Sequence, residues 1–168
     1  GSEMCIRDRI VEDAPDLLGN ATLKALGVMK VTGMPVIADD TGLEVEVLNG
    51  EPGVLSARYA GPDAQAEDNI KKLLSVLADI PMVRRGARFR TVIVVLWPDE
   101  TFITAEGVVF GKIALAPIGN LGFGYDSIFL PSEIPGKTFA EISDSEKNRI
   151  SHRGRALNDI AKLLLRTS

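Results

Sequence analysis

Two adjacent carboxylates, Asp39 and Asp40, follow a short apolar run and precede Thr41. Burying an unpaired carboxylate costs free energy, and two neighbouring ones repel each other, so acids at the end of a core strand need a cation nearby. We expect a turn after a short buried strand at 36–38, which would let one acid enter a site. Asp40 lies nearer the turn and is the candidate metal-binding or water-activating group, with Mg²⁺ as the natural metal. The alternative is that both acids only stabilise the turn.

The sequence also offers other acids for this site and limits the type of metal that it could bind. Asp39 is expected to accept turn hydrogen bonds or to tune its neighbour. Glu12 and Asp13 can complete an oxygen-rich site, although acids near an irregular terminus are more often solvated. One cysteine and one histidine, Cys5 and His152, cannot form the usual zinc site within one chain, so a metal would be bound by oxygen.

A second candidate site is the glycine-rich segment Leu121–Asp126. Its glycines let the backbone approach a ligand, its Phe and Tyr rings offer a face for a base, and Asp126 accepts hydrogen bonds. Stacking on an aromatic ring contributes ~1–3 kcal/mol per base. A tight turn with its aromatic rings in the core explains the same residues without a ligand.

A third cluster consists of Lys147, Ser151, His152 and Arg153. We expect these donors on the leading turns of the last helix, with Lys147 and Ser151 on one face, where they can meet an anionic or carbonyl-bearing ligand. The alternatives are a solvated helical surface for the basic residues and a structural role for the histidine.

The first of the elements that position these residues is a helix. Asn20 is its predicted N-cap, it reaches Val31, Gly33 ends it, and Lys24 is held on it. After the turn, the alternation of 43–47 predicts a half-exposed strand.

Two further elements lie in the middle of the chain. A helix is expected to begin near Asp63, and its apolar stripe comprises Ile70, Leu73, Leu74 and Leu77. The β-rich runs 88–97 and 101–111 predict a hairpin with two long strands.

The C-terminal third is predicted to contain a short strand at 127–130 and one helix. Ser143 and Glu146 have the spacing of a capping box, and downstream the buried face comprises Leu157, Ile160, Leu163 and Leu164. The fold class is therefore α/β, a mixed twisted sheet with long antiparallel strands flanked by helices.

Length and charge limit the possible functions. The chain has 168 residues, 45% of them hydrophobic, which suits one domain. We assign residues 10–168 to that domain and residues 1–9 to a leader that is non-native or disordered. A net charge of −4 argues against binding to duplex nucleic acid. No apolar run is long enough for a membrane span, so the cytoplasm is the default location.

Five ordered motifs together resemble the Ham1-like inosine triphosphate pyrophosphatases, also called non-canonical purine nucleoside triphosphate pyrophosphatases. The motifs are Asn20-Ala21 with Lys24-Ala25, Pro35 through Leu43, Pro52-Gly53 with Ser56-Ala57-Arg58-Tyr59, Gly122 through Asp126, and Ser151-His152-Arg153-Gly154. The resemblance implies the ITPase-like (Ham1) fold, Mg²⁺-dependent hydrolysis of ITP, dITP and XTP to the monophosphate and pyrophosphate, and a homodimer. The Ser-His-Arg-Gly segment argues against the Maf-like pyrophosphatases.

The resemblance also implies roles for individual residues. Asp40 matches the proton acceptor and magnesium ligand, Glu12 matches a second metal-site acid, and Lys24 matches a lysine near the phosphates. The expected substrate-binding residues are Thr41, Phe123, Gly124, Tyr125, Asp126, Lys147, His152 and Arg153. Donors that expect the 6-carbonyl of hypoxanthine or xanthine would be left unpaired by adenine, a mismatch that can discriminate ~10⁴–10⁵-fold.

The chain departs from the family's pattern at its start. The family begins with a strand and a Thr-Gly-Asn-x-x-Lys-type loop that grips the triphosphate, and a strand-helix-strand unit needs ~30 residues. Only 11 residues precede Glu12. The expectation is an N-terminally truncated member with reduced activity. The alternative is a catalytically impaired, nucleotide-binding or purely oligomeric remnant.

Overall fold

The computed structural model describes residues 10–167, so the expected leader at 1–9 lies outside the described residues. Helices flank one sheet. The helices are α1 (Leu17–Thr32), α2 (Ala66–Val76), α3 (Asp144–Ile150) and α4 (His152–Thr167). The strands are β1 (Val36–Val45), β2 (Pro52–Gly53), β3 (Gly86–Leu96), β4 (Phe102–Ile113) and β5 (Phe129–Pro131). No helix in the described part of the chain combines the length and apolarity that crossing a membrane requires.

The five strands are ordered β2-β1-β3-β4-β5, and each neighbouring pair is antiparallel. The predicted hairpin is confirmed, because β3 and β4 pair from Gly86 with Lys112 to Leu96 with Phe102. The α/β class with long antiparallel strands flanked by helices is confirmed as well. Where we expected a mixed sheet, the pairings between the described strands are all antiparallel.

The expected turn at Asp39–Gly42 does not form. A single strand, β1, runs through it and pairs with β3 from Val36 opposite Leu96 to Val45 opposite Ala87. The prediction of two strands separated by a turn is wrong because the local turn preference of Asp and Gly is overridden by pairing with a long, β-branched partner. Asp39 and Asp40 therefore point to opposite faces of the sheet.

The two faces of β1 and β3 pack against different helices. On one face, Ala21 and Ala25 of α1 pack on Val94 and Leu96. On the other face, α4 packs on β3 and β4, and its contacts include Ala156, Ile160, Ile93, Val95 and Ala105. Side chains of β1 thus meet α1 or α4 according to their position in the strand alternation.

The largest core cluster lies between the sheet and α2. Phe89, Phe129 and Phe139 are packed at its centre, with ring centroids 4.7–6.2 Å apart. Leu73 and Leu77 of the predicted α2 stripe are fully buried there, and the other two stripe residues are partly buried. The stripe prediction is therefore confirmed.

Arg85 is a buried cation that joins three segments beside this core. It is 3% exposed. Its guanidinium donates to the carbonyl oxygens of Ile80 at 2.8 Å, Ala114 at 3.0 Å and Leu77 at 2.6 Å. The end of α2, the turn after it and the residue after β4 are thereby held together.

The start of α1 differs from the prediction. Asp16 is the N-cap, and its side chain accepts from the backbone N–H of Gly19. Asn20 lies inside the helix, where its Oδ1 accepts from the N–H of Ala14 at 3.0 Å. Asp and Asn both favour the N-cap position, so contacts with the rest of the protein determine that Asp16 and not Asn20 occupies it. The predicted end is confirmed, because Gly33 adopts the left-handed conformation with φ of 65°.

Two other helix boundaries also differ. α2 begins at Ala66 and not near Asp63, because Gln65 and Asp68 form its capping box. The predicted single C-terminal helix is two helices, since the extended Ser151, with ψ of 151°, separates α3 from α4. The Ser143 capping box is confirmed. Leu157 does not belong to the buried face of α4, because it is 47% exposed.

Candidate active site

The first part of the candidate site is an ion cluster between α1 and β1. The Nζ atom of Lys24 lies 2.7 Å from Oδ1 of Asp40 and 3.2 Å from Oε2 of Glu12. It also donates to the backbone carbonyl of Asp39 at 3.1 Å. Glu12 is held in turn through its carbonyl oxygen, which accepts from Arg58 at 2.8 Å. Sequence analysis missed Arg58 in this role because nothing in its spacing links it to Glu12.

The neighbouring acid makes an ion pair on the opposite face of the sheet. Oδ2 of Asp39 lies 2.8 Å from Nη2 of Arg153, at the start of α4. This contact joins β1 to α4. The predicted role of Asp39 in a turn is wrong, because no turn exists there.

A groove of about 1190 Å³ opens on the α4 face. Thr41, Leu43 and Phe89 of the sheet line it, together with the start of α2, the 122–126 segment and the α3–α4 junction. Thr41 is fixed from the sheet side, since its hydroxyl lies 2.7 Å from that of Thr91 in the paired strand. The groove is therefore formed by elements that are distant in sequence.

His152 lies against the groove as a buried, neutral ring. It stacks on Phe89 with the ring centroids 4.7 Å apart and the planes inclined by 18°. Burial is the main cause that lowers the pKa of His152 to about 3. The positive charges of Arg153 and Lys147 add to this lowering, and the negative charge of Asp39 opposes it. Its Nδ1 is buried and has no hydrogen-bond partner among the described residues.

The 122–126 segment divides its aromatic residues between core and solvent. Tyr125 is 5% exposed and its hydroxyl donates to the carbonyl of Ser56 at 2.8 Å. Phe123 is 71% exposed, and Nζ of Lys147 lies 4.8 Å from the centroid of its ring. Asp126 is buried, accepts from the N–H of Phe123 at 2.8 Å and forms an ion pair with Lys147.

The structure thus brings the predicted residues together as two groups. The groove is lined by the whole expected substrate-binding set, which comprises Thr41, Phe123, Gly124, Tyr125, Asp126, Lys147, His152 and Arg153. Lys24, Asp40 and Glu12 form the other group, on the α1 face. Asp13 is exposed. Lys147 lies on α3 and not on the last helix, and Ser151 caps α3 with its N–H donating to the carbonyl of Lys147 at 2.7 Å, so both residues line the groove as expected of one helical face.

Sequence analysis also missed Phe89, whose ring supports His152. The alternation of β3 places Phe89 and Thr91 on one face, and that was readable from the predicted strand. Which residues face them across the groove could not be read from the sequence, since α4 begins 61 residues after Thr91.

The two carboxylates of the ion cluster, Glu12 and Asp40, can be assessed as ligands of a divalent ion. In residues 10–167, no group of three or more His, Cys, Asp and Glu side chains converges as a metal site. Mg²⁺ is commonly held by only one or two carboxylates, with water and substrate phosphates completing its ligands. Glu12 and Asp40 already share one cation, the Lys24 ammonium. The donor set therefore fits a divalent ion that arrives with phosphates.

Comparison with known proteins gives the same family throughout. The pattern of the Ham1 family matches residues 2–163. The dITP/XTP pyrophosphatase of Escherichia coli O157:H7 is 50% identical over 161 residues, which cover 94% of this chain and 79% of that protein. That of Bacillus subtilis is 45% identical over 97% of this chain and 82% of its own length.

Solved structures agree. The Staphylococcus aureus Ham1 protein superposes with a TM-score of 0.89 at 41% identity, covering 99% of this chain and 85% of that one. A HAM1 protein from Coxiella burnetii gives a TM-score of 0.88 at 38% identity, covering 98% and 84%. Motifs, fold and relatives thus coincide, and the chain belongs to the Ham1 family.

Proposed function

We propose that this protein hydrolyses non-canonical purine nucleoside triphosphates, namely ITP, dITP and XTP, to the monophosphate and pyrophosphate. The observation that carries the proposal is the placement of two sites on adjacent residues of one strand. Asp40 belongs to the ion cluster and Thr41 lines the groove. Since consecutive Cα atoms are ~3.8 Å apart, one nucleotide can reach both. Relatives named dITP/XTP pyrophosphatase support it.

The path between the two sites is the free edge of β1. β2 pairs with β1 only at Leu43 and Glu44, so within the described residues no strand covers that edge from Val36 to Gly42. A ligand with its nucleoside in the groove can pass this edge and place its phosphates near Lys24 and Asp40.

The groove residues select the base in this proposal. Lys147 and Arg153 donate to a carbonyl or phosphate, Phe123 offers its exposed ring, and His152 stays uncharged because its pKa is about 3. A purine 6-carbonyl accepts a hydrogen bond from Lys147, whose side chain is 12% exposed, whereas the 6-amino group of adenine would leave that donor unpaired. The site therefore favours hypoxanthine and xanthine over adenine.

The ion cluster performs the chemistry. Asp40 orients the attacking water and accepts its proton, while Lys24 balances the charge on the phosphates. Glu12 and Asp40 would hold Mg²⁺, which would screen the charge of the triphosphate.

Single-domain organisation, self-association and a cytoplasmic location complete the proposal. We assign residues 10–168 to one domain, because in the described residues 10–167 α1 and α4 pack on the two faces of the same strand, β3. A homodimer is supported by the exposed apolar side chains Val31, Met34 and Ile37 at the end of α1 and the start of β1. Sedimentation velocity measures the oligomeric state.

The test of the activity is pyrophosphate release from dITP, ITP, XTP, ATP and GTP, with and without Mg²⁺. We expect turnover of the first three in Mg²⁺ and a ~10²–10⁴-fold lower kcat for Asp40→Asn, which removes the proton acceptor. Asp79→Asn makes the same change at an exposed position outside both sites and should keep the parent rate.

Equal kcat values for Asp40→Asn and the parent would remove the catalytic assignment. If the parent shows no turnover, calorimetry with ITP separates the two remaining functions. Heat of binding supports a nucleotide-binding protein that does not hydrolyse, and no heat excludes nucleotide binding as well.

A further inference from the structure

The Lys24 ammonium is surrounded by three oxygen atoms. Its three neighbours are Oδ1 of Asp40 at 2.7 Å, the carbonyl oxygen of Asp39 at 3.1 Å and Oε2 of Glu12 at 3.2 Å. The ammonium donates hydrogen bonds to the first two of these atoms, and Glu12 adds the charge of a second carboxylate as an ion pair. Lys24 therefore occupies the position of a bound cation.

The lysine and Asp40 are mostly shielded from water, and the Glu12 side chain is 28% exposed. The Lys24 side chain is 16% exposed and that of Asp40 is 12% exposed. Ala21 and Ala25, on the neighbouring turns of α1, are fully buried against the sheet and fix the helix that carries the lysine. Coulomb interactions are stronger in such surroundings than in bulk water, so the ammonium is a strong competitor for these carboxylates.

We propose that Lys24 is a resident cation that a divalent metal ion must displace from Glu12 and Asp40. This inference rests on the proposed function only in that a divalent ion uses these two carboxylates. The metal and the ammonium need the same oxygens, and like charges in contact repel each other. The free protein therefore binds a divalent ion weakly.

The nucleotide relieves this competition. Its phosphates give Lys24 new acceptors and bring their own negative charge, so the lysine can leave the carboxylates as the metal ion enters. The metal ion and the nucleotide consequently bind together, because Lys24 disfavours binding of the metal ion alone. A lysine that only holds α1 against β1 would have no such effect on metal affinity.

The test is a titration of the full chain with Mn²⁺ alone, without nucleotide, in which electron paramagnetic resonance reports free Mn²⁺. Lys24→Met removes the ammonium and keeps the length of the side chain, and we expect ~10-fold tighter Mn²⁺ binding or more. Lys24→Gln retains two N–H donors and should also bind Mn²⁺ more tightly than the parent. It serves as the second variant if Lys24→Met does not fold, as judged by circular dichroism.

Two controls exclude a general charge effect. Lys30→Met makes the same change in net charge in the exposed last turn of α1, and its Mn²⁺ affinity should stay within ~2-fold of the parent because solvent and salt screen that position. The double variant Lys24→Met/Asp40→Asn should not show the tighter Mn²⁺ binding of Lys24→Met, because it lacks one of the two carboxylates.

Unchanged or weaker Mn²⁺ binding by the Lys24 variants overturns the inference, as does a gain that Lys30→Met shares or that Asp40→Asn does not remove. The outcome is independent of turnover. A parent that hydrolyses dITP together with Lys24 variants that gain nothing leaves the proposed function intact. A parent without hydrolysis leaves the Mn²⁺ titration still decisive for Lys24.

Discussion

Three basic residues of the candidate site, Lys24, Lys147 and Arg153, already contact a carboxylate. Lys24 is paired with Asp40, and Arg153 with Asp39. Lys147 is paired with the buried Asp126. Phosphates of a bound nucleotide must compete with these acids, so the free energy of binding is reduced by the cost of separating each pair. Selectivity gains from this arrangement, because weakly interacting anions do not displace the carboxylates.

Acid should destabilise this protein through His152, its only histidine. The folded-state pKa is about 3, well below the ordinary value of 6.5, because burial disfavours the charged ring. Between these pH values the unfolded chain binds a proton that the folded chain does not, so the free energy of unfolding falls as pH decreases. From pH 7 to pH 5 the parent should lose about 1–2 kcal/mol more than His152→Gln.

Urea unfolding at pH 7, 6 and 5 measures this difference. Since the chain has no other histidine, the remaining pH dependence in this window comes from groups that both proteins share. Parallel stability curves for the parent and the variant would contradict the buried, neutral state of His152.

At the scale of elements, the position of α4 depends on one glycine in β4. A Cβ atom on Gly107 would lie 1.9 Å from the carbonyl oxygen of His152 and 2.6 Å from the backbone nitrogen of Ala156. The first turn of α4 therefore contacts the strand backbone directly. That turn carries both His152 and Arg153 to the groove.

Gly107→Ala should displace α4 and weaken both folding and activity. Overpacking of this kind costs ~1–3 kcal/mol. We expect a loss of that size in the free energy of unfolding and a lower kcat/KM for dITP, measured by urea unfolding and pyrophosphate release.

Thr104→Ser is the control, because residue 104 lies on the opposite face of the same strand. Its free energy of unfolding should stay within ~0.5 kcal/mol of the parent. An unchanged kcat/KM in Gly107→Ala would show that the start of α4 does not need this close approach.

Sequence patterns identified most elements, and the exceptions have a common cause. The β3–β4 hairpin and the stripe of α2 were predicted because alternation and helical periodicity are local. The turn at Asp39–Gly42 was predicted from equally local preferences and failed, since pairing with β3 is not local. The groove residues could likewise be identified from local motifs. That the sheet separates them from Lys24 and Asp40 could not be predicted, because this depends on non-local pairing.

At the scale of the whole molecule, Arg85 links segments that would otherwise separate. Its three acceptors, the carbonyls of Leu77, Ile80 and Ala114, have no side-chain acid among them. The cation is stabilised by backbone dipoles, including that of the residue that caps the C-terminal end of α2.

Arg85→Met should lower the free energy of unfolding by ~2–4 kcal/mol, because the variant leaves buried carbonyl groups without donors. Arg84→Met removes the same charge from the exposed neighbouring position and should change it by less than ~0.5 kcal/mol. Urea unfolding of the two variants measures both values, and similar losses would contradict the role of Arg85.

The continuous strand β1 has a consequence for insertions and deletions. Asp39 and Asp40 reach different helices only because they occupy an odd and an even position of one strand. A one-residue insertion or deletion within β1 before Asp39, with the pairing of the preceding strand residues kept, would keep both acids yet turn each toward the other's face. The number of residues between the start of β1 and Asp40 is thus itself a requirement of the site, independent of which side chains fill the interval.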